Sequence, residues 1–353
     1  MEQRKKLVVF VVNPISGTSG KEQILELIGK RLDRSLFDFS VEKTAYAGHA
    51  SQIAARAAEK GADVVVAIGG DGTINEVGRS LIHTDTAMGI IPCGSGNGLA
   101  RHLHIPLEAK GAIDVLNEGV VQDIDYGLID SHPFFCTCGV GFDAFVSLKF
   151  ADSGKRGLRT YLENTLHESL NYRPETYEIS NAEGSFKYKA FLIACGNASQ
   201  YGNNAYIAPQ ASLTDGMMDI TILQPFTVLD VPALAFQLFT KTIDQNSRIK
   251  TLKEKKICIH RATEGVFHVD GDPMMGGKDL EVEIVHRGLK MITPKESRSA
   301  FEPFSVLQHF TDFIGSNHLS NTLTMQHKKL LEHNQRLLRK FSQGIRKEKD
   351  SEG

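Results

Sequence analysis

Apolar runs that end in glycine turns constrain this chain more than any other feature. Residues 7–12 read LVVFVV, 63–68 read DVVVAI and 87–92 read AMGIIP, and a further extended run covers 39–46. Runs that are apolar on both sides suit strands covered on both faces of a sheet. Helical patterns lie between them: Ile24, Leu25, Leu27 and Ile28, then residues 50–59, then Ile74, Val77 and Leu81. The alternation predicts an α/β N-terminal domain over residues 1–126, a parallel sheet with helices on both faces.

The rhythm fades near Asp125 and Tyr126. Short strands are expected at 134–138, 176–180, 186–195, 218–223, 256–260, 266–269 and 280–285, with turns at 181–184 and 270–273. Few helices interrupt them, only 155–170 and 231–240, so residues 127–288 predict a β-rich, mostly antiparallel, sandwich-like C-terminal domain. A chain of 353 residues is too long for one ordinary core, in keeping with two domains. Residues 289–320 are a candidate return to the first domain. Residues 325–353 predict a basic amphipathic helical tail, with Leu330, Leu337, Phe341 and Ile345 on one face. Such a tail suits peripheral contact with an anionic membrane.

Other classes are disfavoured. The formal net charge is −2, so no field draws nucleic acid. No apolar stretch reaches the roughly 18 residues of a spanning helix. Five cysteines without metal-type spacing suggest a reduced, cytoplasmic chain. A homodimer is left open.

The glycines carry the chemistry. A strand that enters a helix through glycines presents unpaired N–H groups and a positive helix end, with no Cβ to hold off an anion. Thr73 and Glu76 have the spacing of a capping box for the helix after GGDG. The Walker A spacing is absent, because Ile15 and Glu22 stand where Gly and Ser or Thr are needed around Gly20 and Lys21. The dinucleotide fingerprint is absent too, since Asn75 replaces its third glycine. Asp71 lies among the glycines, and a carboxylate near phosphate calls for a divalent cation between them, which predicts Mg²⁺ shared with nucleotide phosphates.

These motifs resemble the diacylglycerol kinase catalytic-domain family, which includes bacterial lipid kinases, sphingosine kinases and ceramide kinases. GGDGTINEV at 69–77 is similar to its nucleotide loop and IPCGSGNGLARHL at 91–103 to its second glycine loop. Asn13 and Pro14, Thr44 with Gly48, His49 and Ala50, and Phe142 with Asp143 resemble further signatures. So do the acidic motifs at 213–216 and 270–273, and the likeness spans residues 7 to about 295. The resemblance implies ATP between the two domains, lined by Asn13, Thr44, Gly70, Asp71, Gly72, Thr73, Asn75, Glu76 and Ser95, with Asn97 holding the loop. It implies that Asp71 acts on the Mg·ATP phosphates. It implies Asp272 as general base toward a lipid hydroxyl, with Asp270 as the fallback. It implies a structural Mg²⁺ at Asp215, with carbonyls of Ser212 and Met217 as further ligands.

The activity so implied is ATP-dependent phosphorylation of a membrane-derived lipid, diacylglycerol or a related alcohol. Phe134, Phe135, Phe142, Phe145, Phe150 and Phe191 are candidate lining for its chains. A sphingoid-base kinase is the close alternative, although Phe145 stands near the position where an acid would meet the amine and Asp143 lies two residues away. An NAD kinase and a non-catalytic lipid-binding regulator are alternatives of other classes.

Overall fold

A computed structural model describes residues 4–16, 20–153 and 172–295, without side chains at 150–153 and 228. The helix expected at 155–170, the tail at 325–353 and the Phe150 side chain lie outside it. The described residues belong to one compact unit, Met1–Val306.

The N-terminal half follows the alternation: β1 (Lys6–Val12), α1 (Lys21–Arg31), β2 (Phe37–Lys43), α2 (His49–Glu59), β3 (Val64–Gly69), α3 (Asp71–Leu81) and β4 (Ala87–Pro92). β3 and β4 are buried at every residue, as their unbroken apolar pattern requires. The strands run parallel in the order β2-β1-β3-β4. Two short helices, α4 (Gly98–His102) and α5 (Ala109–Glu118), follow β4.

The next strand, β5 (Val120–Ile129), carries the chain out of this half. It pairs antiparallel with the last strand, β16 (Asp279–Thr293), along almost its whole length. The end of β16 pairs parallel with β4 at Met291 and Met88, and its start pairs antiparallel with β13 (Lys256–Arg261). One ten-stranded sheet therefore runs through both halves, continuing to β8 (Glu175–Asn181) and β9 (Gly184–Ala190), with β6 (His132–Phe134) beside β5. β16 shifts register between Val285 and Leu289, where Arg287 has φ 53°. The fully buried Asp125 carboxylate stitches this bulge. It accepts the N–H groups of Arg287 and Gly216, both at 2.7 Å, and lies 2.8 Å from His286 Nδ1.

A second sheet has the order β12-β11-β10-β7-β14-β15, antiparallel throughout. Its strands are β7 (Thr137–Gly141), β10 (Leu192–Gly196), β11 (Met218–Leu223), β12 (Ile249–Glu254), β14 (Gly265–Val269) and β15 (Asp272–Gly276). Its inner face, with Val140, Ile193, Ile220 and Phe267, packs on Ile179, Ile259, Leu280 and Val282 of the first sheet. Its outer face carries α6 (Phe142–Ser153) and α7 (Val231–Phe239), over a cluster containing Phe142, Phe191, Leu223 and Leu234.

The single run expected at 186–195 is thus two strands, β9 and β10, that pair in different sheets on either side of Phe191. The ring of Phe191 lies tilted against that of Phe142, with centroids 4.5 Å apart. Among the described residues no helix is long and apolar enough to cross a membrane.

Candidate active site

Two glycine loops meet backbone to backbone at the ends of β3 and β4. A Cβ on Gly94 would lie 2.6 Å from Gly70 Cα, so only glycine allows the approach. Asn97 holds the second loop from a left-handed conformation, φ 53°. Its Oδ1 accepts the Gly94 N–H at 2.9 Å and its Nδ2 donates to Gly94 O at 2.8 Å. Asp71 joins the loops: Oδ2 accepts the Asn97 N–H at 2.9 Å and Oδ1 the Gly98 N–H at 2.8 Å. Burial pushes the Asp71 carboxyl above the usual range, against these two N–H groups and the nearby Arg101. No side chain caps α3, whose N-cap is Gly70. Ser95 stands exposed at the loop tip and Gly72 on the first turn of α3 is open.

Several predicted residues serve this frame rather than open space. Thr73 is buried inside α3, and its Oγ1 accepts Asn13 Nδ2 at 3.1 Å, tying the end of β1 to α3. The expected capping box is not formed. Glu76 instead caps the neighbouring helix α2, accepting the N–H groups of Gly48 at 2.8 Å and Ala50 at 3.1 Å. The helix begins at Asp71, so Thr73 is not an N-cap, and Glu76 faces the open end of α2. Thr44 continues β2, with its N–H on Val12 O at 2.9 Å. Asn75 bridges the two halves, donating to Asp270 Oδ2 at 2.9 Å and Pro133 O at 3.1 Å.

The turn between β14 and β15 separates its two acids. Asp270, at φ 49°, accepts the N–H groups of Phe135 (2.9 Å), Cys136 (2.7 Å) and Thr137 (3.1 Å) besides Asn75. Asp272 is exposed, and its Oδ2 lies 3.8 Å from where a Cβ on Gly72 would sit. Asp270 is an anchor, and Asp272 is the acid presented to the first turn of α3. Desolvation, with the Asp71 and Glu76 carboxylates, raises the Asp272 pKa, while Arg79 and His268 oppose the rise.

Two features escaped the sequence reading. The Lys21 ammonium, at the first turn of α1, is shielded from solvent without a hydrogen-bond partner among the described residues. Rejecting the Walker A spacing had set this lysine aside. Asp143 and His268 form a buried pair, Oδ2 to Nε2 at 3.2 Å. Tyr201 donates to the same oxygen at 3.0 Å, and the Ala144 N–H to Oδ1 at 2.8 Å. Nothing local in GFDA signals this; the partner arrives from β14.

The six phenylalanines do not share one wall. Phe134 lies in the sandwich core, and Phe135 packs on α3 where Gly78 has no Cβ to obstruct its ring. Only Phe142, Phe145 and Phe191 among the described ones share a cluster, with Tyr172 and Phe226. α6, which carries Phe142 and Phe145, packs on β15, the strand that begins with Asp272.

The Mg²⁺ expected at Asp215 does not fit its donors. Oδ2 of Asp215 is 2.8 Å from Lys253 Nζ and Oδ1 accepts the Met217 N–H at 3.1 Å.

Beside the second loop, His102 Nδ1 accepts the Ser199 N–H at 3.1 Å. Burial, with His104 and Lys241 nearby, lowers its pKa from 6.5 to about 4. A depressed histidine is protonated first in the unfolded chain. Its stabilisation is therefore complete above pH ~6.5 and is lost as pH falls toward ~4, about 3 kcal/mol in all. Urea titrations should show this loss in the native chain and a flatter profile in His102→Gln.

Both halves of the chain resemble known proteins. The family model "Diacylglycerol kinase catalytic domain" matches residues 7–129, and "YegS C-terminal NAD kinase beta sandwich-like domain" matches 136–293. A diacylglycerol kinase of Bacillus subtilis is 27% identical over 295 residues, 81% of this chain and 96% of that protein. A protein of Pectobacterium atrosepticum named "Probable lipid kinase YegS-like" is 26% identical, covering 83% and 98%. A crystal structure of a diacylglycerol kinase from Bacillus anthracis superposes with TM-score 0.65 at 20% identity, over 82% of this chain and 97% of that one. With both halves matched in order, and with the two glycine loops and the acidic turn assembled at one place, the chain belongs to the diacylglycerol kinase catalytic-domain family of lipid kinases.

Proposed function

We propose that this chain transfers the γ-phosphoryl group of ATP to the hydroxyl of diacylglycerol or a related neutral lipid alcohol. The observation that carries the reading is the Asp272 carboxylate set against the first turn of α3, beside the paired glycine loops. The uncapped α3 terminus and the shielded Lys21 ammonium suit phosphate oxygens. Ser95 offers an exposed hydroxyl to the nucleotide.

The Asp71 and Glu76 carboxylates each disfavour a charge on Asp272, an imbalance that a divalent cation would relieve. Asp71 would hold Mg²⁺ together with the nucleotide phosphates, and the ion would neutralise charge on the transferring group. The chain's own work is positioning and one proton transfer. Asn97 and Asp71 keep the loops together, Asp270 fixes the turn, and Asp272 takes the proton of the lipid hydroxyl as it attacks.

The environment of Asp143 favours a neutral acceptor over a sphingoid base. Both of its oxygens are engaged and it is only 6% exposed, so it does not offer a carboxylate to an ammonium. Phe145 supplies no carboxylate, and the Lys149 ammonium already lies 5.5 Å from its ring centroid.

The test is transfer of labelled phosphate from ATP to diacylglycerol and, separately, to sphingosine. Asp272→Asn should lower kcat by roughly 10²–10⁴ with little change in KM for ATP, the range of general-base catalysis. The raised pKa of Asp272 in the free protein adds a sign: kcat/KM should climb with pH through a value above the ordinary carboxylate value and lose that limb in the variant. An unchanged kcat in Asp272→Asn would remove the residue from the reaction.

A further inference from the structure

We propose that Lys253 is a built-in cation for the turn at 212–217, which this chain holds without a metal ion. The argument starts from strand register. β11 and β12 pair antiparallel with Lys253 directly opposite Asp219, so the lysine rises on the same face as that aspartate. From there its ammonium reaches Asp215 Oδ2 at 2.8 Å and lies 3.5 Å from Asp219 Oδ2. That Asp219 oxygen is closed to solvent and makes no hydrogen bond among the described residues, and Lys253 is the cation beside it.

The turn is otherwise fixed by protein groups. The Leu213 carbonyl accepts the Asp125 N–H at 2.7 Å, and the Gly216 N–H goes to the Asp125 carboxylate. The Met217 N–H closes on Asp215 Oδ1. Mg²⁺ demands oxygens at about 2.0–2.1 Å in octahedral array. An ammonium 2.8 Å from Asp215 Oδ2 repels a divalent ion at that oxygen. The strand register delivers the lysine as the chain folds, whereas an ion must be recruited from solution and must displace it.

The test uses the full chain without nucleotide, so that no phosphate brings Mg²⁺ to the glycine loops. Thermal unfolding of the native chain should be unchanged by EDTA or by millimolar MgCl₂. Lys253→Met should unfold at lower temperature and regain stability with MgCl₂, a gain that EDTA reverses and that Lys253→Met with Asp215→Asn lacks. Should Lys253→Met fail to fold, calorimetric titration of the native chain and Asp215→Asn with MgCl₂ decides. No binding by the native chain supports the proposal. A saturable Mg²⁺ site in the native chain that disappears in Asp215→Asn overturns it, as does a folded Lys253→Met that ignores MgCl₂.

Discussion

Asp71→Ala is expected to abolish measurable phosphoryl transfer while the chain stays folded. Asp71 is the shared acceptor for the Asn97 and Gly98 N–H groups, so its loss frees the second glycine loop from the first. The same change removes the carboxylate assigned to the nucleotide-bound cation. Together, lost positioning and lost charge neutralisation predict a fall of about 10⁴ or more in kcat/KM. The stability cost should be about 2–4 kcal/mol, because the two freed N–H groups sit on the buried Asn97 and Gly98 and lose their shared acceptor. Labelled-phosphate transfer alongside urea unfolding separates the two effects. Near-native activity in a folded Asp71→Ala would place the cation elsewhere.

Asp270→Ala carries the largest stability effect. Four donors converge on this carboxylate: the N–H groups of Phe135, Cys136 and Thr137 and the Asn75 amide. Removing it leaves all four without their acceptor and unties the N-terminal half from the sandwich. At roughly 1–3 kcal/mol per stranded donor, offset by partial water entry, a loss of about 4–5 kcal/mol is expected. Burial raises the Asp270 pKa while the four donors lower it. Asp270→Asn should recover part of the loss, since one oxygen remains to accept. The contrast with Asp272→Asn is diagnostic: one variant should lose stability with activity falling in step, the other activity alone. Equal urea midpoints for Asp270→Ala and the native chain would show that the anchor is dispensable.

The difference between these two aspartates was not visible in the motif DGDP. Both carboxylates sit on one turn, and sequence ranked Asp270 as the substitute base. Its role follows from backbone donors at 135–137, more than 130 residues away in the chain. Glu76 shows the same limit. Its spacing from Thr73 fitted a cap within one helix, but the open end of α2 lay closer in space. Asp215 also read as a metal ligand until β12 delivered Lys253.

Local pattern by itself determined the parallel α/β half, the glycine loops and the antiparallel character of the second half. The reason is that hydrophobic period and glycine placement act over a few residues and need no distant partner. Only the folded chain decided that β5 and β16 join both halves in one sheet, and that a single run at 186–195 divides between two sheets. It likewise decided which of several similar carboxylates stays open. Strand pairing and charge pairing depend on contacts between distant segments, and a side chain's task is set by whichever donor or ammonium the fold brings within about 3 Å.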